Sequence, residues 1–419
     1  SPGKSRKPLI LQGARQVGKS WLLEEFGRTH FDQLALVNFL ENDGMKAVFA
    51  GSLNPQRLLD AIAVETGVRP EAESTLIVFD EVQECPRVLT SLKLFQEQRP
   101  ELAIVAAGSL LRIALHQGVS FPVGKVEHMN LYPLTFREFL AATGNETLVE
   151  LLERRDFSLI DSFKERYTDA LKRYYFVGGM PEAVQTFIDS GDYSTVRVVQ
   201  KRLLYDYDHD FSKYASAELS ERIRLVWNSA PSQLARENRK FVYTAVRPSA
   251  RARSFEMAIQ WLVDAGLLLS VHRVAKPGVP LSSYKDLNAF KLYLLDTGLL
   301  GAISNLDPSV LLAETQLFEE FKGALSEQYA CQEITAALDG TPYYWSAESS
   351  SGEIDFLYED AGRIVPIEVK AAENLRSKSL GAFCKKYGLR HAVRLSLSGY
   401  REQDWMTNIP LYAESTLFS

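Results

Sequence analysis

Gly13-Ala14-Arg15-Gln16-Val17-Gly18-Lys19-Ser20 is a complete G-x-x-x-x-G-K-[ST] pattern, and its neighbours decide the fold of the first third of the chain. Leu9 to Gln12 reads as a short apolar strand entering the loop. Lys19-Ser20-Trp21-Leu22-Leu23 carries apolar residues away from it at helical spacing. Strand, glycine-rich loop and helix in this order gather backbone N–H groups around one point at a helix N-terminus, which is what a phosphate cradle requires. Gly13 and Gly18 allow backbone paths that a Cβ obstructs. Further apolar runs at Leu34 to Phe39, Leu76 to Phe79 and Leu102 to Ala107 are separated by helical patterns, which predicts a doubly wound parallel sheet covered on both faces.

The run Leu76-Ile77-Val78-Phe79 delivers Asp80 and Glu81 to the end of a buried strand about sixty residues after the loop. Lys19 is expected to reach the outer phosphates of ATP, and the Ser20 hydroxyl and Asp80 to hold Mg²⁺. Glu81 is then the candidate base for an attacking water. Ala14, Arg15, Gln16 and Val17 complete the nucleotide-binding set. Ser109, which follows the strand-ending Gly108, reads equally as a sensor of the terminal phosphate or as a helix N-cap before Leu110-Leu111. Arg112, Lys125 and Arg137 are candidates for the cation that neutralises the transferring phosphoryl group, and position alone separates them from ordinary surface charges.

A chain of 419 residues exceeds what one core usually organises, so several domains are expected. The composition, 46% hydrophobic and 24% charged with a formal net charge of -6, is that of a globular protein and argues against wholesale coating of nucleic acid or an anionic membrane. No apolar run reaches the eighteen residues of a membrane span. Only Cys85, Cys331 and Cys384 occur, without metal-ligand spacing, which predicts a reducing, cytoplasmic setting.

The chain divides on pattern into a P-loop domain over 1–138, a helical lid over 139–212, a winged-helix-like segment over 213–280 and a C-terminal α/β domain over 281–419. Gly178-Gly179-Met180-Pro181 must turn within the lid. Leu219 to Trp227, Ser232 to Ala245 and Phe255 to Ala265 read as three helices followed by the strand Leu267 to Val274. Beyond the link at Lys276 to Pro280, Lys291 to Leu295 reads as a strand and Gln316 to Leu338 as a long helix. Tyr343 to Ser346, Glu353 to Tyr358 and Ile364 to Lys370 then read as three strands.

This last region holds a D…E-x-K constellation. Glu368 and Lys370 project to one face of a strand, and the Asp355 strand can pair beside it through the turn at Asp360-Ala361-Gly362. Carboxylates so placed can hold a second Mg²⁺ or Mn²⁺ while the lysine orients water for phosphodiester cleavage. Glu327 falls on the helical arc of Ala324, Cys331, Ile334 and Leu338, where a charge needs a partner or a metal. The same spacing also describes a solvated strand face with no chemistry.

The blocks GARQVGKS, LIVFDEVQ, YPLTFREFL, YFVGGMPEAV, FKLYLLDTGLL and GEIDFLY…VPIEVKAAE, in this order from about Pro8 to Tyr412, closely resemble the prokaryotic AAA-type ATPases that carry a C-terminal DUF4143 domain. The resemblance implies an ATPase module related to signal-transducing ATPases, with a lid, a winged-helix segment and a C-terminal domain of the PD-(D/E)xK nuclease kind. Gly13, Gly18, Lys19 and Ser20 match its Walker A positions, Asp80 and Glu81 its Walker B, and Glu327, Asp355, Glu368 and Lys370 its nuclease-type signature. At Phe121-Pro122-Val123-Gly124-Lys125, where the family typically reads Gly-Arg, a lysine keeps the charge but loses the bidentate fork of an arginine finger. The resemblance also implies a longer lead-in before the first strand, covering the adenine.

Two functions follow as expectations. One is an ATP-dependent enzyme whose nuclease-like domain binds or cleaves DNA or RNA. Arg247, Arg251, Arg253, Lys385, Lys386 and Arg390 are its candidate basic surface. The other is an ATP-driven switch that controls homo-oligomerisation or a protein partner, with a nuclease-like domain that only binds. A static nucleotide pocket is disfavoured by the presence of Glu81.

Overall fold

The computed structural model describes residues 6–111, 113, 124–235, 240–247, 252–312, 319–347, 352–371 and 377–418. The chain forms two compact units: residues 1–132 with 264–266, and residues 133–263 with 267–419.

The first unit is built on five parallel strands, β1 (Leu9–Gln12), β2 (Gln33–Asn38), β3 (Thr75–Asp80), β4 (Ala103–Gly108) and β5 (Glu127–Asn130), in the order β2-β3-β4-β1-β5. Side-chain alternation separates its two cores. Ile77, Phe79, Ile104 and Ala106 point into one, with Phe49, Leu58, Leu92 and Phe95 from three helices. Leu76, Val78, Ala103 and Val105 point into the other, with Leu23 of the helix Lys19–His30. Both faces are thus covered, as the apolar runs predicted.

The fifth strand was not legible in the sequence. Glu-His-Met-Asn has no apolar alternation and lies largely exposed; only its pairing with β1 makes it a strand.

The second unit joins helices to a mixed eight-stranded sheet. Its strands are β6 (Leu268–Val274), β7 (Lys285–Leu294), β8 (Tyr343–Ser346), β9 (Glu353–Asp360), β10 (Arg363–Val369), β11 (Ala392–Ser396), β12 (Arg401–Glu402) and β13 (Met406–Pro410), in the order β12-β13-β11-β10-β9-β8-β6-β7. The antiparallel pair β6–β7 joins the sheet where His272 and Arg273 of β6 run parallel to Tyr343 and Tyr344 of β8. The expected boundary after residue 280 therefore falls between two strands of one sheet.

The expected helices before β6 also need correction. Ala217–Leu234 is one helix that runs through Pro231, and the anticipated helix from Ser232 to Ala245 does not form as a unit. Its place is taken by the end of that helix and the short helix Tyr243–Val246. Burial of Ile223, Val226, Trp227, Ala230 and Leu234 along one side holds the first helix together across the proline, against the cost a proline carries in a helix interior.

The helix Glu319–Leu338 is buried on every side from Ala324 to Thr335 although it contains Ser326, Glu327, Gln328, Gln332 and Glu333. A helix buried all round must pair each polar side chain. Gln328 accepts from Leu294 N and donates to Leu294 O, Gln332 accepts from Thr297 N and donates to the Tyr174 hydroxyl, and Glu333 accepts from Phe136 N. Asp296 completes this framework by accepting from Gly179 N at 2.6 Å and Leu299 N at 2.9 Å. Three of the sequence blocks quoted above thus meet in one buried polar network.

Candidate functional site

The loop and the acid pair come together at the C-terminal ends of β1 and β3. A Cβ on Gly13 would run into the carbonyl oxygen of Leu131, and Gly18 adopts a left-handed φ of 93° before the helix Lys19–His30. The Lys19 ammonium donates to the loop's own carbonyls, Gly13 O at 3.0 Å and Ala14 O at 2.7 Å. Burial lowers its pKa to about 8 against the opposing pull of Glu81 and Asp80, with Arg15 adding to the lowering. A group with negative charge at the loop would favour the charged lysine.

Ser20 and Asp80, sixty residues apart in sequence, are in contact: Ser20 Oγ donates to Asp80 Oδ2 at 2.6 Å. Asp80 is buried and also accepts from Glu81 N at 2.9 Å and Asn38 Nδ2 at 3.4 Å. A hydroxyl and a carboxylate side by side are hard oxygen donors of the type Mg²⁺ takes, with the remaining positions left for water and phosphate. The residues present therefore fit the ion.

Glu81 leaves β3 with a left-handed φ of 53°, which turns its side chain out of the strand. Its carboxylate accepts a hydrogen bond from Gln83 Nε2. Ser109 is buried immediately beyond the end of β4. Arg15 and Gln16 lie in the loop, Gln16 with a left-handed φ of 65°. Ala14 and Val17 are buried.

Among the cation candidates, Lys125 pairs with Glu97 at 3.5 Å and Arg137 with Glu153 at 3.8 Å, while Arg112 lies outside the described residues. Asn38 and Gln83 are the two site residues that sequence reasoning missed. Asn38 aligns with Asp80 in the β2–β3 register, and Gln83 stands two residues after Glu81. Only the second was within reach of sequence proximity.

In the C-terminal constellation the Asp355 strand pairs beside the Glu368 strand as expected, while Glu327 finds other partners. Asp355 Oδ2 accepts from Val369 N at 2.8 Å, where the β9–β10 ladder has ended at Ile367–Phe356. Lys370 Nζ lies 3.1 Å from Glu368 Oε1, and Glu368 Oε2 is buried without a hydrogen-bond partner among the described residues. Glu327 is drawn elsewhere, to the Tyr293 hydroxyl at 3.2 Å and Lys291 Nζ at 3.9 Å.

Lys291 also pairs closely with Glu353 and lies over the Tyr344 ring, with its side chain wholly buried. Among the described residues, no group of three His, Cys, Asp or Glu side chains is disposed to hold a metal ion. The inward Glu327 is thus partnered by a lysine. Its arc position is not distinctive, since Gln328, Gln332 and Glu333 of the same helix are equally buried. Lys291 was readable as a lone cation inside Ala289-Phe290-Lys291-Leu292-Tyr293-Leu294.

Of the basic surface, Arg247, Arg253, Lys385, Lys386 and Arg390 are exposed, with Lys386 stacked over Trp345 and Tyr387; Arg251 lies outside the described residues. Cys85, Cys331 and Cys384 are buried free thiols. No helix among the described residues is long and apolar enough to cross a membrane.

A parallel sheet with the glycine-rich loop after β1 and the acid pair at the end of β3 is the fold of a P-loop nucleotide-binding protein. Residues 5–140 match the AAA domain family, residues 168–310 a domain of unknown function (DUF8612), and residues 322–413 a domain of unknown function (DUF4143). The chain therefore carries an AAA-type ATPase domain and a C-terminal DUF4143 domain.

An uncharacterized protein of Methanocaldococcus jannaschii is 23% identical over 235 residues, covering 52% of this chain and 47% of that protein, so the chain spans about half the length of this relative. Among solved structures, a Walker-type ATPase of Pyrococcus abyssi is similar with a TM-score of 0.42 and 15% identity over 71% of this chain and 91% of the other. Drosophila ORC bound to DNA has a TM-score of 0.28 and 13% identity over 73% and 93%. Cdc6p of Pyrobaculum aerophilum has 0.24 and 12% over 75% and 89%.

Proposed function

We propose that this protein is a cytoplasmic, Mg²⁺-dependent ATP hydrolase. Lys19 and the backbone N–H groups of residues 13 to 20 hold the phosphates, Ser20 and Asp80 hold Mg²⁺, and Glu81 takes a proton from the attacking water, with Ser109 beside the terminal phosphate. The observation that carries the reading is the 2.6 Å contact between Ser20 and Asp80, because it brings two distant sequence motifs into direct contact. Glu81→Gln is expected to keep ATP affinity while turnover falls by ~100-fold or more, and Lys19→Ala to weaken binding itself. Wild-type turnover in Glu81→Gln, or unchanged ATP affinity in Lys19→Ala, refutes the assignment.

For the C-terminal region, the pairing of Lys291 with Glu353 and Glu327 favours a nuclease-like domain that binds rather than cuts, under nucleotide control. The lysine supplies the positive charge that a second Mg²⁺ or Mn²⁺ would otherwise bring to those acids. Its partner is nucleic acid, a protein or another copy of the chain. Cleavage of labelled DNA or RNA in Mg²⁺ or Mn²⁺ that disappears in Asp355→Ala would overturn this second reading in favour of an active Glu368–Lys370 site.

A further inference from the structure

Gln83 belongs to none of the roles assigned so far. It lies in the short turn Val82–Glu84 that follows Glu81, anchored by the fully buried Val82. Its Nε2 donates to Glu81 Oε2. Its Oε1 is buried and has no hydrogen-bond partner among the described residues. The direction of the amide is fixed by chemistry: turned over, its carbonyl oxygen would face the Glu81 carboxylate, acceptor against acceptor. The carbonyl end lies against the tip of β4, where a Cβ on Gly108 would stand 2.6 Å from Oε1. Glycine there makes the room that Oε1 occupies, one residue before Ser109.

A buried acceptor without a donor is costly, so one held beside the candidate base requires an explanation. An attacking water has two protons and needs two acceptors to fix its orientation. Glu81 provides one, and Gln83 Oε1, on the side chain hydrogen-bonded to it, offers a second.

Resting on the ATP-hydrolase reading above, we infer that Gln83 is a positioning residue for hydrolysis: its Nε2–H aims the Glu81 carboxylate and its Oε1 accepts a hydrogen bond from the attacking water. In the step, the water oxygen bonds to the γ-phosphorus. The bond from that phosphorus to the β–γ bridging oxygen breaks, and its electron pair leaves with ADP. One water proton passes to the Glu81 carboxylate and later to solvent. The other stays on the oxygen that becomes part of the phosphate, and it is this proton that faces Gln83.

The test uses the full chain with Mg²⁺ and ATP, measuring kcat, KM and ATP affinity for wild type, Glu81→Gln, Gln83→Met, Gln83→Asn and the double variant Glu81→Gln/Gln83→Met. Methionine keeps the length and removes both polar atoms; asparagine keeps the amide and withdraws it by one methylene. Both single changes at Gln83 are expected to lower kcat by roughly 10- to 100-fold with ATP affinity within about twofold of wild type. Unchanged affinity also certifies that the loop is folded.

The double variant is expected to lose less than the product of the two single losses, since Gln83 and Glu81 orient the same water and Gln83 also acts through Glu81. A wild-type kcat in either Gln83 variant, or rate losses that multiply in the double variant, overturns the inference. Wild-type turnover in Glu81→Gln would instead overturn the hydrolase reading beneath it.

Discussion

Glu333 offers a direct measurement of how the second unit is held together. It sits in the buried helix Glu319–Leu338, 5% exposed, and its carboxyl accepts from Phe136 N at 2.9 Å. The groups around it are Glu138 and Arg137 on the helix Phe136–Ala142, Tyr174 on the helix Lys164–Val177, Tyr329 on its own helix, and Glu414. Burial raises its pKa from the ordinary 4.5 to about 8; the Phe136 N–H opposes the rise and Glu138 adds to it.

The native state therefore keeps a proton that the unfolded chain releases above pH 4.5. Stability from this group is fully present below pH 4.5, declines as pH rises and is lost through about pH 8. The interval from 4.5 to about 8, at ~1.4 kcal/mol per pH unit, caps the effect at roughly 5 kcal/mol.

Glu333→Gln keeps an acceptor for Phe136 N and removes the titration. Urea unfolding of both proteins between pH 5 and pH 9, followed by fluorescence and far-UV dichroism, reads the Glu333 titration together with its coupling to Glu414, while titrations that Glu333 does not touch cancel in the difference. The variant is expected to gain on wild type by about 3–4 kcal/mol between pH 5 and pH 8, and to run parallel to it above. Parallel profiles across the whole range would refute the argument.

Two substitutions test the packing around the same network and the C-terminal acids. In Gly179→Ala the new Cβ would run into Leu134 O while Leu134 N still bonds Gly179 O, so a loss of about 3 kcal/mol or more, read from the melting temperature, is expected. Lys291→Met leaves Glu353 and Glu327 without their cation and is expected to cost about 3–5 kcal/mol in urea unfolding, with part of the loss recovered in Lys291→Met/Glu353→Gln. A neutral Lys291→Met would mean that the pairing carries no stability.

The sequence alone determined what depends on neighbours along the chain. The glycine-rich loop had to sit between a strand and a helix, because Gly13 and Gly18 are needed for the backbone path and Leu9 to Gln12 is a strand with Ile10 and Leu11 buried. Asp80 and Glu81 had to end a strand, because Thr75–Asp80 is buried on both faces. These features are local, with short apolar runs and turn chemistry written into adjacent residues.

Tertiary structure decided the rest. Edge strand β5 exists through pairing with β1, and the helix Ala217–Leu234 survives its proline through burial of one side. Asn38 reaches Asp80 only because β2 and β3 are in register. Most consequential is Lys291. Nothing local says that its ammonium will pair with Glu327 and Glu353; that follows from β7 and the helix Glu319–Leu338 closing on each other in a dry interior, where each charge must find an opposite one.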